Sequence, residues 1–552
     1  MAGVRPVIQR VRGGLCADPG DGSLGTAGSD PDHPSNAEGR PLLFPTIDFA
    51  IFFVIVFTAS WILRPWPRAW RVMILAASYV FYGWWNWHFV FLLGASTVIN
   101  QCGAVAVGRL RDPGRRKWAM VGTVVADLCL LGWFKYYGFF AVNVANGLHH
   151  LGVHSPLAVM QVALPVGISF FTFMGISYVV DVHRGKIEPA GWMDAAVYLA
   201  FFPHLVAGPI VRGSELLPQL RAPRDPRRID ASRAAWLIMA GLAKKVVISS
   251  FLSKHIVDPV FAVPHQHSAL EILFAVYGYA VQIYADFSGY TDIAIGVALL
   301  LGFRFPENFN APYTAESLQD FWRRWHITLS LWLRDYVYIP LGGSRGGRWR
   351  TARNILITML LGGLWHGAAW TFVAWGALHG GGQVVGMLRR ERAERRRDAV
   401  DGPEGGGAAV PAAVPAAVAA PGGGATVVLA AVADPIPAPG RSPARVWLAR
   451  IATFHLVCLG WVLFRATSFT NAEAVLSRLA HPGPAPLVTP LVIGAIVVSI
   501  GSQYVPSDVV ARAQRRFADL TPVAQGALLA AALYVITTLG PQGVAPFIYY
   551  RF

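Results

Sequence analysis

Charged residues are scarce in this chain, at 14% of 552 residues, whereas a soluble protein carries about 25%. The deficit excludes an ordinary soluble domain, because too few charges are available to cover its surface. Instead 54% of the residues are hydrophobic and 19 are Trp. Apolar runs near ~20 residues recur, each long enough to span a bilayer. Ala, Gly and β-branched residues are mixed through them, so the sequence predicts spanning helices rather than barrel strands.

Cysteine is also rare. The four residues, Cys16, Cys102, Cys129 and Cys458, are scattered through the chain. No pair has the spacing of a metal site, and no disulfide framework is visible. A nucleophilic serine motif, a glycine-rich phosphate loop and a Walker motif are absent as well. The sequence therefore predicts no bound metal or cofactor.

The formal charge of +16 does not indicate nucleic-acid binding, because the basic residues cluster in short loops between apolar runs. That distribution is typical of cytoplasmic loops in membrane proteins. Residues 109–117, RLRDPGRRK, are accordingly predicted to be cytoplasmic. The loop 142–160 has three histidines but no Lys or Arg, so it is predicted to lie outside.

Four regions are predicted from composition. Residues 1–41 are polar and rich in Gly, Asp, Ser and Pro, and they are expected to be disordered, with no signal peptide. Residues 42–388 form the membrane core. Residues 389–445 begin RRERAERRR and continue as an Ala/Pro/Gly-rich cytoplasmic loop. Residues 446–552 return to the membrane and complete the same domain.

The fold class predicted is an all-α integral membrane protein with about 11–13 transmembrane or re-entrant helices. Two segments, 193–211 and 318–343, carry prolines or glycines that favour a re-entrant or broken helix. The remaining apolar segments are 46–63, 70–87, 89–108, 118–141, 161–182, 234–253, 268–302, 354–370, 371–388, 447–465, 487–504 and 525–541.

Ionisable residues inside apolar segments are costly in lipid and are therefore candidates for a functional site. Between residues 283 and 380 these include Asp286, Asp292 and His366. His366 lies in GGLWHGAAW, where glycines permit close backbone approach. A neutral histidine in a dry cavity can take the proton of a hydroxyl that attacks an acyl carbonyl. The alternative is a packing histidine bonded to a backbone carbonyl.

His326 lies in FWRRWHITLS. If that segment is one helix, Trp322, Trp325, His326 and Leu329 share a face. The histidine would then be a second catalytic or substrate-binding group. The alternative is an interfacial helix that carries an amphipathic histidine.

Asp286 and Asp292 are six residues apart, so they do not share a face of a regular helix. One of them could orient a histidine or bind a substrate hydroxyl. The favoured interpretation is structural, with salt bridges inside the bundle to Arg304, Arg323, Arg324 or Lys245. Ser288 and Tyr290 could form local hydrogen bonds on the same segment.

Several motifs in chain order resemble those of the membrane-bound O-acyltransferase family. The closest resemblance is to its bacterial branch for alginate O-acetylation and teichoic-acid D-alanylation. It covers about residues 42–388 and 447–552. The motifs are LPVGISFFTF, FFPHLVAGPI, GLAKKVVI, YADFSGYTDIAIG, ENFNAPY, SLQDFWRRWHITLSLWLRDYVYIPLGG and GGLWHGAAWTFVAWGALHG.

The resemblance implies a ring of helices around a thin centre, with funnels from both faces meeting at the catalytic histidine. His366 is then the catalytic residue, and His326 is the second characteristic polar residue. The wider set of predicted substrate-binding residues comprises Asp286, Asp292, Ser288, Tyr290, Trp325, Arg323, Arg334 and Trp365.

The implied reaction moves an acyl group from a cytoplasmic thioester to a hydroxyl acceptor approaching from outside, with His366 as general base. Acetyl-coenzyme A is the first choice of donor, and an acyl carrier protein thioester is the second. The acceptor would be an extracytoplasmic polysaccharide or the hydroxyl of a relay protein. A separate exported SGNH-type acetyltransferase is the expected partner, and the expected location is the bacterial plasma membrane.

Three alternatives remain open on the sequence. Broken helices and intramembrane charges also suit a channel or transporter. Within acyl transfer, the product could be D-alanylated teichoic acid. A lipid or protein could also be the acceptor.

Overall fold

The computed structural model describes residues 44–153, 164–401, 442–540 and 547–548. Residues 1–41, which are predicted to be disordered, and most of the predicted cytoplasmic loop 389–445 lie outside these ranges. All regular structure within them is helical, with no strand. The all-α fold class is therefore confirmed for the described part of the chain.

The α-helices follow one another in this order: α1 Ile47–Ile62, α2 Pro67–Gly83, α3 His88–Arg109, α4 Pro113–Leu131, α5 Tyr137–His150, α6 Ile168–His183, α7 Trp192–Ala200, α8 Phe202–Leu205, α9 Gly213–Arg221, α10 Ala231–Leu242, α11 Ser250–Leu252, α12 Asp258–Ala262, α13 Ala269–Leu300, α14 Leu318–Arg324, α15 Ile327–Leu333, α16 Arg348–His366, α17 Trp370–Asp401, α18 Pro443–Arg465, α19 Phe469–Arg478, α20 Pro490–Ser502, α21 Ser507–Ala518 and α22 Pro522–Leu539.

Six helical runs in the described residues are long and apolar enough to cross a membrane: α3, α4–α5, α10–α12, α13, α18 and α22. The pair α20 and α21, bent by 96°, would make a seventh, and α1 and α6 are shorter apolar helices. The chain is thus a multi-pass membrane protein. The structure has fewer full-length spans than the sequence has predicted apolar segments, because several of those segments, such as α7–α8 and α14–α15, form short or broken helices.

Two of the long runs are continuous only because wider π-helical turns join their parts. Gly132–Tyr136 links α4 to α5, and Ala243–Ser249 and Ser253–Val257 link α10, α11 and α12. Such turns insert an extra residue and redirect the side chains that follow, and they are frequent at functional sites. Lys135 lies in the first of them and Lys245 in the second.

The predicted single helix around His326 is wrong. The helix breaks there: α14 ends at Arg324, α15 begins at Ile327, and His326 has a left-handed backbone with φ 43°. The loop that carries Asn308 enters this break. The Ile327 amide donates to the Asn308 carbonyl at 2.9 Å, so the loop replaces a helical hydrogen bond at the break. The shared face expected for Trp322, Trp325, His326 and Leu329 therefore does not exist.

The hairpin of α16 and α17 brings two helix backbones unusually close. A Cβ atom on Gly363 would lie 2.3 Å from the Phe372 carbonyl oxygen, and one on Gly376 would lie 2.4 Å from that of Met359. Only glycine fits at such contacts, as the sequence predicted for the glycines beside His366. Past the membrane segment, α17 continues to Asp401, beyond its predicted end at 388, because Arg, Glu and Ala favour helix.

Candidate active site

His366 is the last residue of α16 and is buried, with 3% of its surface exposed. Its imidazole meets the edges or faces of three aromatic rings. The ring centroids of Trp365 and Trp375 are each 5.0 Å away, and that of Phe464 is 5.2 Å away. Helices α16, α17 and α18 thus form an apolar pocket around it. Burial among rings disfavours a charged imidazolium and favours the neutral base.

Two side chains from the turn Gly132–Tyr136 hold the end of α16. The Tyr136 hydroxyl donates to the Leu364 carbonyl at 2.9 Å. The Lys135 ammonium donates to the Trp365 carbonyl, to the His366 carbonyl at 3.3 Å and to Ser169 Oγ at 3.1 Å. The backbone of the candidate catalytic residue is therefore anchored by a helix distant in sequence.

His326 is fully buried, with 0% exposure, and its Nδ1 lies 3.2 Å from Asn308 Oδ1. The same oxygen accepts from the Thr328 amide at 3.1 Å and from the Thr328 hydroxyl at 2.9 Å. Because the Thr328 amide can only donate, the Asn308 atom is the oxygen, and His326 Nδ1 must carry a proton. In a neutral ring this leaves Nε2 as an acceptor. Within the described ranges Nε2 has no hydrogen-bond partner.

Trp365 packs near both histidines. Its ring centroid is 6.0 Å from that of His326 and 5.0 Å from that of His366. Phe287 of α13 packs edge-on against His326 at 4.6 Å. The structure therefore brings His366, His326 and Trp365 together, while their roles in catalysis and substrate binding stay predictions.

The two aspartates lie on α13 in ion pairs. Asp286 pairs with Lys245 in the interior and also accepts from the Ile548 amide at 2.8 Å and from Ser249 at 3.4 Å. Asp292 pairs with Lys244 at 2.6 Å. This geometry matches the structural interpretation, including the predicted partner Lys245. It does not bring either carboxylate to His366.

The remaining predicted site residues are spread more widely. Ser288 and Tyr290 are buried on α13, where the Tyr290 ring lies 4.6 Å from that of Phe547. Trp325 is buried against Trp461, with centroids 4.9 Å apart. Arg323 is exposed at the end of α14, and Arg334 pairs with its neighbour Asp335 at 2.7 Å. Their substrate-binding roles remain predictions.

A third buried histidine, His379 on α17, was missed by the sequence reasoning. Its Nδ1 accepts from Trp322 Nε1 at 3.2 Å. Its ring lies 4.7 Å from that of Trp375, which also contacts His366. Lys135 and Asn308 were missed as well. For His379 and Lys135 the available signal was an ionisable residue inside an apolar helix.

Across the described ranges, no group of three His, Cys, Asp or Glu residues could hold a metal ion. The chemistry that the site itself offers is that of a neutral imidazole in an aromatic pocket, beside a second imidazole with a fixed acceptor nitrogen. The first imidazole can accept the proton of a hydroxyl, and the acceptor nitrogen of the second can accept a hydrogen bond from another donor group of the substrate. Proton removal and substrate positioning are both required for acyl transfer to an alcohol.

Comparison with known proteins matches residues 121–395 to the membrane-bound O-acyltransferase family. The chain is similar to the probable alginate O-acetylase AlgI of Azotobacter vinelandii, with 44% identity over 342 residues that cover 61% of this chain and 67% of the relative. It is 36% identical over 374 residues to the peptidoglycan O-acetyltransferase of Helicobacter pylori, covering 61% of this chain and 69% of that protein.

A more distant relative is the teichoic acid D-alanyltransferase of Bacillus subtilis, with 27% identity over 290 residues, which cover 49% of this chain and 68% of the relative. The family match includes α5 to α16, and with them His366, His326 and Trp365, whereas Phe464 of α18 lies outside the matched residues. The chain belongs to the membrane-bound O-acyltransferase family and is an acyltransferase.

Proposed function

We propose that the protein O-acetylates an extracytoplasmic polysaccharide, taking the acyl group from a cytoplasmic thioester, with His366 as general base. The observation that carries the proposal is the packing of His366 and His326 against the same ring, that of Trp365, in a buried aromatic site. The relatives named for alginate and peptidoglycan O-acetylation support polysaccharide as the acceptor class.

In this mechanism the neutral imidazole of His366 removes the proton of the acceptor hydroxyl while its oxygen bonds to the acyl carbonyl carbon. The carbon–sulfur bond of the thioester then breaks, and the thiolate leaves with the proton returned by the imidazolium. The acceptor nitrogen of His326 is available for a hydrogen bond from a different donor group of the substrate, since the proton of the attacking hydroxyl goes to His366. No covalent acyl-histidine is required.

The sidedness of the reaction is supported by the charge pattern along α16. The helix begins beside the four arginines in residues 345–353, which the positive-inside rule assigns to the cytoplasm. His366 lies thirteen residues after Arg353 and thus about 20 Å further along the helix, well into the bilayer. A donor from the cytoplasm and an acceptor from outside would both have to reach this depth.

The acceptor is tested by mass spectrometry of glycan O-acetyl esters in bacteria that carry the wild type, His366→Ala, His481→Ala or no gene. His481 is an exposed histidine and controls for histidine loss in general. We expect esters with wild type and His481→Ala only, at equal membrane levels of all proteins. Normal esters with His366→Ala would contradict the role of His366.

The donor is tested in sealed membrane vesicles. Inside-out vesicles expose the cytoplasmic face, so labelled acetyl-coenzyme A added outside should label the glycan in them and not in right-side-out vesicles. Label that appears only when a charged acyl carrier protein is added would favour the second donor. D-alanine in place of acetyl on the product would favour the activity named for the Bacillus relative. A separate exported SGNH-type partner, and the bacterial plasma membrane as the location of this protein, remain part of the proposal.

A further inference from the structure

We propose that Lys135 is a positioning residue for catalysis, whose ammonium group caps the carboxyl end of α16 and so fixes His366. The inference rests on the proposed role of His366 as general base. It concerns a residue on the turn Gly132–Tyr136, which is separated from His366 by more than 200 positions of sequence.

The end of α16 needs a cap from elsewhere. The last carbonyls of any α-helix lack a partner within the helix. Many helices satisfy them by turning back, as α13 does when the Phe303 amide, just past the left-handed Gly302, donates to the Ala298 carbonyl at 2.8 Å. At Gly367 the chain instead leaves α16 in an extended conformation, with φ −161° and ψ 150°. An extended residue cannot form the backward hydrogen bonds of a left-handed glycine cap.

Lys135 and Tyr136 supply that cap from the side. Together they donate to the carbonyls of three successive residues, Leu364, Trp365 and His366. The ammonium contributes the charge that a helix carboxyl end favours, whereas the tyrosine contributes a neutral hydrogen bond. Lys135 donates to two of these carbonyls and Tyr136 to one, so Lys135 is the principal clamp.

The same ammonium also reaches the ring that packs near both histidines. Lys135 Nζ lies 5.6 Å from the centroid of the Trp365 ring, within the range of a cation–π contact. Lys135 thus fixes the His366 backbone and the indole that both histidines touch. The π-helical turn makes this double contact feasible, because it directs the adjacent residues 135 and 136 to the same helix end.

Loss of the clamp should slow the chemical step more than it weakens donor binding. A displacement of about 1 Å in a positioned group can cost ~100-fold in rate. We therefore expect Lys135→Met to lower kcat by about 10- to 100-fold with little change in KM for the donor. Lys135→Arg, which keeps both charge and donors, should recover most of the rate.

The experiment measures kcat, KM and thermal stability in detergent for purified Lys135→Met, Lys135→Gln, Lys135→Arg and Tyr136→Phe. Lys254→Met, at an exposed lysine, is the matched control. The proposal predicts that the loss in kcat is largest for Lys135→Met and then falls through Lys135→Gln and Tyr136→Phe to Lys135→Arg. The control Lys254→Met should have the wild-type kcat. If Lys135→Met does not fold, a comparison of kcat between Lys135→Gln and Lys135→Arg gives the same test.

Wild-type kcat in Lys135→Gln or Lys135→Met would overturn the proposal. So would a rate loss that only follows thermal stability and that arginine does not rescue, because that is the signature of a merely structural lysine. The proposed function fails separately: it is refuted if His366→Ala retains full acyl transfer, whatever the Lys135 variants do.

Discussion

Removal of one member of the buried ion pair between Lys245 and Asp286 should be strongly destabilising. The two side chains are 0% and 3% exposed. Lys245→Met would leave the Asp286 carboxylate with only the Ile548 amide and the Ser249 hydroxyl as its known donors. Removing one partner of a buried pair typically costs about 3–5 kcal/mol, because the remaining charge is stranded away from water. We expect a loss in this range for the free energy of unfolding.

The double variant Lys245→Met/Asp286→Asn gives the sharper result. The side-chain carbonyl of the asparagine in Asp286→Asn can still accept a hydrogen bond from the backbone amide of Ile548, and neither position carries a charge. Replacing both members of a buried pair is often close to neutral. The double variant should therefore recover most of the stability lost by Lys245→Met. This corresponds to a coupling energy of about 2 kcal/mol or more between the two positions.

The free energy of unfolding would be measured by detergent titration in mixed micelles, followed by tryptophan fluorescence. Arg233→Gln is the control, since it breaks the exposed pair of Arg233 and Glu307, which are 43% and 61% exposed. Exposed pairs contribute about 0–1 kcal/mol. The reasoning is refuted if Lys245→Met is no more destabilising than this control. Folded Asp286 variants that lose acyl transfer at unchanged stability would instead support the predicted substrate contact.

Two further changes test how the site is built. Gly289→Ala would place a Cβ atom 2.7 Å from the Gly241 carbonyl oxygen and should destabilise the α10–α13 contact by about 1–3 kcal/mol, whereas Gly94→Ala, in open space, should be tolerated in the same unfolding assay. Asn308→Ala removes the oxygen that binds the Thr328 amide, the Thr328 hydroxyl and His326. We expect about 2–4 kcal/mol of lost stability and a lower kcat, while Asn308→Asp, which keeps the oxygen, should retain more of both.

Much of the helical architecture follows from the sequence because hydrocarbon thickness imposes a length on apolar runs. The segment predicted at 46–63 is α1, Ile47–Ile62, and the one at 268–302 is α13, Ala269–Leu300. The family resemblance likewise singled out His366 and His326 before the structure placed both beside Trp365. These features depend on local composition or on motif identity, so no knowledge of packing was needed.

The features that could not be predicted depend on contacts between distant segments. The break at His326 arises because Asn308, 18 residues upstream, bonds to the histidine and supplies the carbonyl for Ile327. Periodicity alone extends a helix through that position. The cap on α16 depends on Lys135, a residue of another span. A lysine in an apolar run indicates that something polar must lie nearby, but not which helix end it serves.

The ionisable residues inside this protein divide into two kinds, and the difference bears on function. Asp286 and Asp292 each have a lysine partner, so their charges are compensated within the fold. His326 and His366 are surrounded by aromatic rings. The cost of burying such a carboxylate away from water is offset by the opposite charge of the lysine, so no ligand is needed to explain its presence. In His326 the hydrogen bond from Nδ1 to Asn308 fixes the tautomer and leaves Nε2 as the acceptor nitrogen. Intramembrane polarity alone therefore does not mark the reactive groups, and the pairing of each group must be known first.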